Sequence, residues 1–428
     1  MNKILLYKDF LNEREQPIDM GYSLVMEGGA AGHMAHPFEN KSLTFGDFRL
    51  FIEKGLSGEL NFEIEPREKT DGQNLFATVM DGQVFFSRNK GELRAPMDID
   101  AFITKWDDRP ELVRMTFIEA GKQLSTTLPK LSAKDLEIFD NGKNWMNMEL
   151  IYSKNPNVIH YDAGDVIQFH GIVITDGEGN IIGDNPESAT SLANAIEKIN
   201  AHVGEIFTII PPQIVKIGKD LDFDKNKAKF IKKLEALRDR YGLTDADEVS
   251  RYHEMWWRDQ IEEHFGNLTQ DVKEGLLLRW AYKDKKTLDL RAISKLVDET
   301  QHAAIKKFDQ EDVKKKYKEN IRPFEDLFLE LGSIIIKNAS NFISANPDKE
   351  VQRLHKYLNK EVEKIRKGDN ISNIEKVEAE LARLDRIGGM QSILPTEGIV
   401  FRYKGKNYKL TGTFAAINQL LGIIKYGR

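Results

Sequence analysis

Glu68-Lys69-Thr70-Asp71-Gly72 stands between two runs of strand character, Phe62-Glu63-Ile64 and Leu75-Phe76-Ala77-Thr78-Val79. Asp-Gly favours a tight turn, so this spacing puts a lysine where a strand ends, on a rigid element, with its amine free to point into a cleft. A lysine amine is protonated and inert as a nucleophile unless a neighbouring cation or loss of solvent lowers its pKa. The chemistry therefore needs a second cation from elsewhere in the chain. Taken alone, Lys-x-Asp-Gly is better read as a surface turn with a solvated lysine.

Working outward, the text from about Leu60 to Val215 is strand-like: Val84-Phe85-Phe86, Met146 to Tyr152 and Ile167 to Ile174 are rich in β-branched and aromatic residues. Asp81-Gly82 reads as a hairpin turn. Thr44-Phe45-Gly46-Asp47 has the spacing of a helix start, and Asn185-Pro186-Glu187 precedes a helical run through Ile199. From about Lys225 to Ile387 the period changes to three and four, with Phe230, Leu234 and Leu237 on one face and Leu354, Leu358, Val362 and Ile365 on another. Gly242-Leu243-Thr244, Gly266-Asn267, Arg322-Pro323, Asn346-Pro347 and Gly368-Asp369-Asn370 divide this part into several helices. Strand character returns in Gly398-Ile399-Val400-Phe401 and Tyr408-Lys409-Leu410. The pattern predicts an α+β core interrupted by a large inserted helical domain.

Composition narrows the functions. With 428 residues there is chain for two or three domains, and 62 Lys+Arg against 68 Asp+Glu give a net charge of −6, which excludes a uniformly basic nucleic-acid coat but not a local basic groove. A cysteine count of 0 excludes disulfides, Cys-ligated zinc, iron–sulfur clusters and thiol nucleophiles. Met1 to Leu11 has no signal-like apolar run and no stretch is long enough to span a membrane, so a cytoplasmic protein is expected.

Further chemistry-bearing residues follow Lys69 in order. Phe85-Phe86-Ser87-Arg88 ends a strand with a cation; Asn147-Met148-Glu149-Leu150-Ile151 is an apolar strand carrying one carboxylate; Ile167-Gln168-Phe169-His170-Gly171 places an aromatic on another. Pro395-Thr396-Glu397-Gly398 and Tyr408-Lys409-Leu410-Thr411 close the series. In these residues the chain resembles the covalent nucleotidyltransferase superfamily, which holds the polynucleotide ligases and mRNA capping enzymes. Lys69-Thr70-Asp71-Gly72 is similar to its motif I, Glu149 to motif III, Phe169 to motif IIIa, Glu397-Gly398 to motif IV and Lys409 to motif V. Among its branches the phage RNA ligases resemble this chain most, because the stretch after Thr411 is too short for an OB-fold.

The resemblance implies an antiparallel-sheet, ATP-grasp-like ligase core without a C-terminal OB-fold. Residues 1–58 would form an N-terminal segment packing on that core, 59–222 its first part, 223–388 the helical insertion, and 389–428 the last strands and a C-terminal helix. It implies an ATP-dependent RNA or DNA ligase in which Lys69 becomes the lysyl-AMP adduct, assisted by Asp71 and Lys409. Glu68, Thr70, Gly72, Arg88, Glu149, Phe169, Glu397 and Lys409 would surround the nucleotide, with Phe169 stacked on the purine, Arg88 at ribose or substrate phosphate and Glu68 or the backbone beside it at the base edge, and Glu149 and Glu397 would hold Mg²⁺, or Mn²⁺ in its place. Lys409 would hold the α-phosphate and, as a like charge, depress the pKa of Lys69. The partners implied are nucleic-acid ends, RNA before DNA, gripped by the helical insertion, and no membrane.

Other readings of the same residues stand beside these. Glu149 also fits a strand carboxylate paired with a lysine, and Phe169 a core aromatic. Lys404, Lys406 and Arg402 compete with Lys409. A transferase acting on an acceptor other than nucleic acid would keep the same lysines and carboxylates, and a ligase-like scaffold would form no adduct. His33 and His36, in a glycine-rich stretch, read as a loop rather than a metal site. Trp256-Trp257-Arg258 and Arg279-Trp280 read as helical core or as a grip on single strands, and Lys283 to Lys286 and Lys314 to Lys318 as solvated faces or phosphate contacts.

Overall fold

Apolar residues at alternate positions build the central sheet. In this computed structural model, residues 34–154, 161, 164–185, 188–200, 206–282, 290–342 and 396–412 are described. β1 (Arg67–Lys69) precedes β2 (Gln73–Met80) and β3 (Gln83–Ser87), which form the expected hairpin; Asp81 and Gly82 have φ of 49° and 76°, the left-handed pair that such a turn needs. β4 (Asn144–Ile151), β5 (Val166–Thr175) and β6 (Ile181–Asn185) extend the sheet in the order β3-β2-β4-β5-β6, all antiparallel. β7 (Thr208–Ile210) joins parallel to β5, so the expectation of an antiparallel sheet fails at this one pair. β8 (Lys216–Ile217) pairs β9 (Ala339–Ser340), and a smaller antiparallel sheet has the order β1-β10-β11, with β10 (Gly398–Tyr403) and β11 (Lys406–Leu410).

Strand alternation assigns the faces of the larger sheet. Leu75, Met146, Met148, Ile167 and Phe169 form one apolar face, covered by helices of the same unit that carry Phe102, Phe117, Leu124 and Ile196. Those covering helices are Ile99–Trp106, Glu111–Thr127 and Ser188–Asn200, the last as expected after Asn185. On the other face stand Asn74, Asn147, Glu149, Gln168 and His170. A β-bulge between Asn147 and Met148 sets this arrangement: Asn147 faces Gly171, whereas Met148 faces Phe169 and Glu149 faces Gln168.

The chain divides into two units. Ser57–Asp220 and the described residues from Gly332 onward form the sheet unit; Ala35–Leu56 and Leu221–Leu331 form a helical one. The segment Ala35–Leu56 therefore groups with helices, where residues 1–58 were expected to pack on the core. The reason is aromatic: in the helix Phe45–Ser57, Phe45 and Phe48 are fully buried, and Phe48 meets Phe328 edge-on at 4.8 Å. That helix starts with reciprocal caps, Asp47 N–H donating to Thr44 Oγ1 at 3.0 Å and Thr44 N–H to Asp47 Oδ2 at 2.9 Å.

Helices Phe223–Asp239, Val249–Phe265, Gln270–Ala281 and Glu299–Glu311 follow, with breaks at Gly242 and Gly266 as expected. The boundary expected at Arg322-Pro323 is absent: one helix runs over Val313–Lys337 with Pro323 inside it. The proline costs about 3 kcal/mol, but Phe324, Leu327, Phe328 and Leu331, each at most 1% exposed, bury a continuous face, and each such side chain contributes about 1.5–3 kcal/mol. Trp257 and Trp280 are core residues at 0% and 2% exposure, and Trp256 is buried too, so none of them offers a stacking platform. Arg258 is taken by Glu254 and Glu274, and Arg279 by Asp309. Lys314, Lys315 and Lys318 are exposed, whereas Lys283 to Lys286 and Leu354 to Asn370 lie outside the described residues. Among the described residues no helix is long and apolar enough to cross a membrane.

Replacing Thr44 by Ala removes the bond that Thr44 Oγ1 accepts from Asp47 N–H, while the backbone bond from Thr44 N–H to Asp47 stays available, and is expected to cost about 1 kcal/mol. Urea unfolding of the variant against wild type checks this, and an unchanged midpoint would remove the cap from the account of the helical unit.

Candidate active site

Lys69 is the last residue of β1, and its backbone partner across the smaller sheet is Gly398 of β10. This pairing joins two segments far apart in sequence. Thr396 Oγ1 donates to the Lys69 carbonyl at 3.2 Å, and the Glu397 carboxylate lies 2.5 Å from Lys69 Nζ. The larger sheet supplies Glu149 from β4. Its Oε1 accepts from Gly72 N–H at 3.2 Å, and its Oε2 lies 2.9 Å from His170 Nε2. Arg67 Nη1 donates to the His170 carbonyl at 3.1 Å, and Arg402 makes two bonds to Asp184, of 2.7 and 3.3 Å. These contacts fasten the smaller sheet to β5 and β6.

Two glycines permit the close approach. A Cβ on Gly72 would overlap Glu149 Cγ and come within 2.7 Å of the Leu150 carbonyl oxygen; one on Gly398 would overlap the Leu410 carbonyl oxygen and approach Thr411 Cα to 3.0 Å. Both positions therefore need glycine for space rather than for backbone conformation. Asp71 N–H donates to Tyr161 Oη at 2.7 Å, which ties the turn down.

The electrostatics run against one expectation. Burial alone would lower the pKa of Lys69, but Glu397, Glu149 and Asp71 more than offset it, and the net direction is upward. Lys409 was expected to depress it; in the free protein the carboxylates decide instead. Burial, with Glu149 adding to it, holds Glu397 above the ordinary carboxylate range, against the pull of Lys69 and Lys409. Glu149 is held below that range: burial pushes it up, but His170, Lys69 and the Gly72 N–H together outweigh burial. The Tyr161 phenol is pushed well up by burial and then by Asp71 and Glu68.

Of the competing cations, Lys409 is buried and acts on Glu397, whereas Lys404 and Lys406 are exposed at the β10–β11 turn and Arg402 is committed to Asp184. Glu68 and Thr70 are buried on either side of Lys69. Arg88 stacks its guanidinium on Phe117 at 5.1 Å and is held below its ordinary pKa by burial, against the fields of Glu149 and Glu92; its Nη1 is buried without a hydrogen-bond partner among the described residues.

Phe169 is corrected. It is 1% exposed in the core beneath the helices, on the face away from Glu149, so it cannot stack on a ligand beside that carboxylate. The ring on the site side is its neighbour His170. Sequence reasoning missed His170, Gln168 and Tyr161. For the first two the signal was present as two polar residues at alternate positions of an apolar strand; for Tyr161 there was none. His36 is buried against Phe38 and donates its N–H to Glu39, while His33 lies outside the described residues.

No family model matches the chain, and no curated protein does. A solved structure described as "Putative ATP-dependent DNA ligase from Aquifex aeolicus" is similar at 13% identity, over 99% of this chain and 98% of that one, with a TM-score of 0.23. A TM-score of that size carries no argument from that protein to this one.

Replacing Glu397 by Gln leaves Lys69 half-buried and removes its nearest countercharge, so its pKa should fall. The expected outcome is faster labelling of Lys69 by an amine-specific acylating reagent at neutral pH, read by peptide mass spectrometry against exposed lysines of the same chain. Equal labelling in variant and wild type would refute the assignment of Glu397 as the group that keeps Lys69 charged.

Proposed function

We propose that the protein is an ATP-dependent polynucleotide ligase, RNA before DNA, that works through a lysyl-AMP intermediate on Lys69. The observation that carries this reading is the convergence of Lys69, Glu149, Glu397 and Lys409, drawn from distant parts of the sequence, around one half-buried amine. An isolated surface turn would have none of these partners.

In this reading Lys69 gives up its proton, with Glu397 the acceptor within reach, and its Nζ lone pair attacks the α-phosphorus of ATP. The P–N bond forms as the bond to the β-phosphate bridging oxygen breaks, and pyrophosphate leaves. An oxygen of a polynucleotide 5′-phosphate then attacks the same phosphorus, the P–N bond breaks and Lys69 takes back a proton. Finally a 3′-hydroxyl attacks the activated 5′-phosphate and AMP departs. Lys409, buried near Glu397, is suited to hold the α-phosphate, and Arg88, with its unpartnered buried Nη1, to meet a further phosphate or the ribose. Asp71 shapes the turn that presents Lys69.

The residues fit a divalent cation. Glu149 and Glu397 are hard oxygen donors close enough for Glu149 to raise the pKa of Glu397, so their combined negative charge is not fully met. Among the described residues no group of three or more His, Asp and Glu side chains could hold a metal by itself. Two carboxylates completed by phosphate oxygens is the usual arrangement for Mg²⁺, and Mn²⁺ would suit the same donors. When bound there, the cation supplies positive charge against the triphosphate. The exposed Lys314, Lys315 and Lys318 are the candidates in the helical unit for contacting a polynucleotide, and we place the reaction in the cytoplasm.

Incubation with α-labelled ATP or GTP and Mg²⁺, followed by denaturing electrophoresis and intact mass, tests the reading. An adduct of one AMP is expected in wild type and absent in Lys69→Ala, and it should discharge onto 5′-phosphorylated RNA. No adduct in any preparation refutes the enzyme; an adduct that neither RNA nor DNA ends discharge refutes the ligase and leaves a transferase with another acceptor.

A further inference from the structure

One polar side chain on the site face of β5 has no part in the chemistry above. Gln168 is 0% exposed, and neither its Oε1 nor its Nε2 has a hydrogen-bond partner among the described residues. A buried amide with both donor and acceptor unmet is costly, and native proteins keep few such groups without a use for them. Its direction follows from the strand. Gln168 stands opposite Glu149 in register and two residues before His170, whose ring touches Glu149, whereas Ile167 and Phe169 belong to the core on the other face. On its far side β5 pairs with β7, where Gln168 faces Ile210, an apolar residue that offers the amide no side-chain partner.

We propose that Gln168 reads the base of the nucleotide: its Oε1 accepts from the exocyclic amine of adenine while its Nε2 donates to the adjacent ring nitrogen. This rests on the reading that the site takes ATP, and it assigns a specificity role to a residue distinct from those that hold phosphate. A carboxamide presents one acceptor and one donor side by side, the complement of an adenine edge. Entry of the base displaces the side chains that cover Gln168 in the free protein. No partner fixes the amide orientation beforehand, so the same group can turn to meet guanine; the discriminating ligand is therefore an analogue without the amine, not GTP.

The experiment compares ATP with purine riboside triphosphate, which lacks that amine, by the concentration giving half-maximal adduct on Lys69, in wild type, Gln168→Met and Gln168→Glu. Wild type should favour ATP by about tenfold, the worth of one hydrogen bond in a buried site. Gln168→Met should reduce the preference to within about twofold, without lowering the melting temperature, because it removes unmet polar groups from the core. Gln168→Glu, which keeps the acceptor, should retain more of the preference than Gln168→Met. Equal weakening of both nucleotides together with a lower melting temperature would show a structural amide and overturn the proposal alone. A wild-type preference that Gln168→Met leaves intact would also overturn it. Absence of any adduct with ATP in wild type would instead overturn the ligase reading, and this assignment with it.

Discussion

A lysine ammonium partly withdrawn from solvent must be paid for with countercharge, and around Lys69 that requirement organises the sheet unit. Withdrawing an ammonium even partly from water is unfavourable, and Glu397 sits against it, at 2.5 Å, with Glu149 and Asp71 contributing at longer range. Glu397 can do so only because β10 runs beside β1, and the start of β10 can lie as close as it does to the end of β11 only because residue 398 is glycine. Glu149 in turn reaches the site because Gly72 leaves room for its side chain. The two glycines and the two carboxylates thus form one arrangement: enlarging either glycine would displace a carboxylate or its strand, and the ammonium would lose what compensates its burial.

The excess of carboxylate has a second consequence. Lys69 is surrounded by more negative than positive charge, which makes it a poor nucleophile in the free protein. The opposed directions of the two glutamates express this. Glu149 is stabilised as an anion by His170 and the Gly72 N–H, whereas Glu397, buried and next to Glu149, is not fully compensated even by Lys69 and Lys409. In the reading proposed above, the amine would be released only when bound ligands redistribute this charge.

Local signals in the sequence were reliable where local physics decides. Asp81-Gly82 gave the hairpin because two left-handed residues suit the strand twist, and Thr44 with Asp47 gave the helix start because their side chains satisfy two otherwise unmet N–H groups. Pro323 misled for the opposite reason: a local penalty was overridden by a buried aromatic face that only the folded helical unit reveals. The pairing of β1 with β10 and the parallel addition of β7 are long-range facts that no hydrophobic period encodes.

The site was legible in its charged residues and illegible in its faces. Lys69, Glu149, Glu397 and Lys409 could be named from the order of their motifs, but which ring accompanies them depends on the bulge after Asn147. Simple alternation from Glu149 says nothing about the phase of β5, and a shift of one residue sends each side chain to the opposite side of the sheet. With the observed register His170 and Gln168 share the face of Glu149, and Phe169 joins the core. The polar residue next to Phe169 is itself the trace of that phase: turning His170 under the helices would take its ring away from the Glu149 carboxylate into an apolar core, whereas turning Phe169 inward costs nothing. The composition of β5 therefore favours the observed phase before any pairing partner is known.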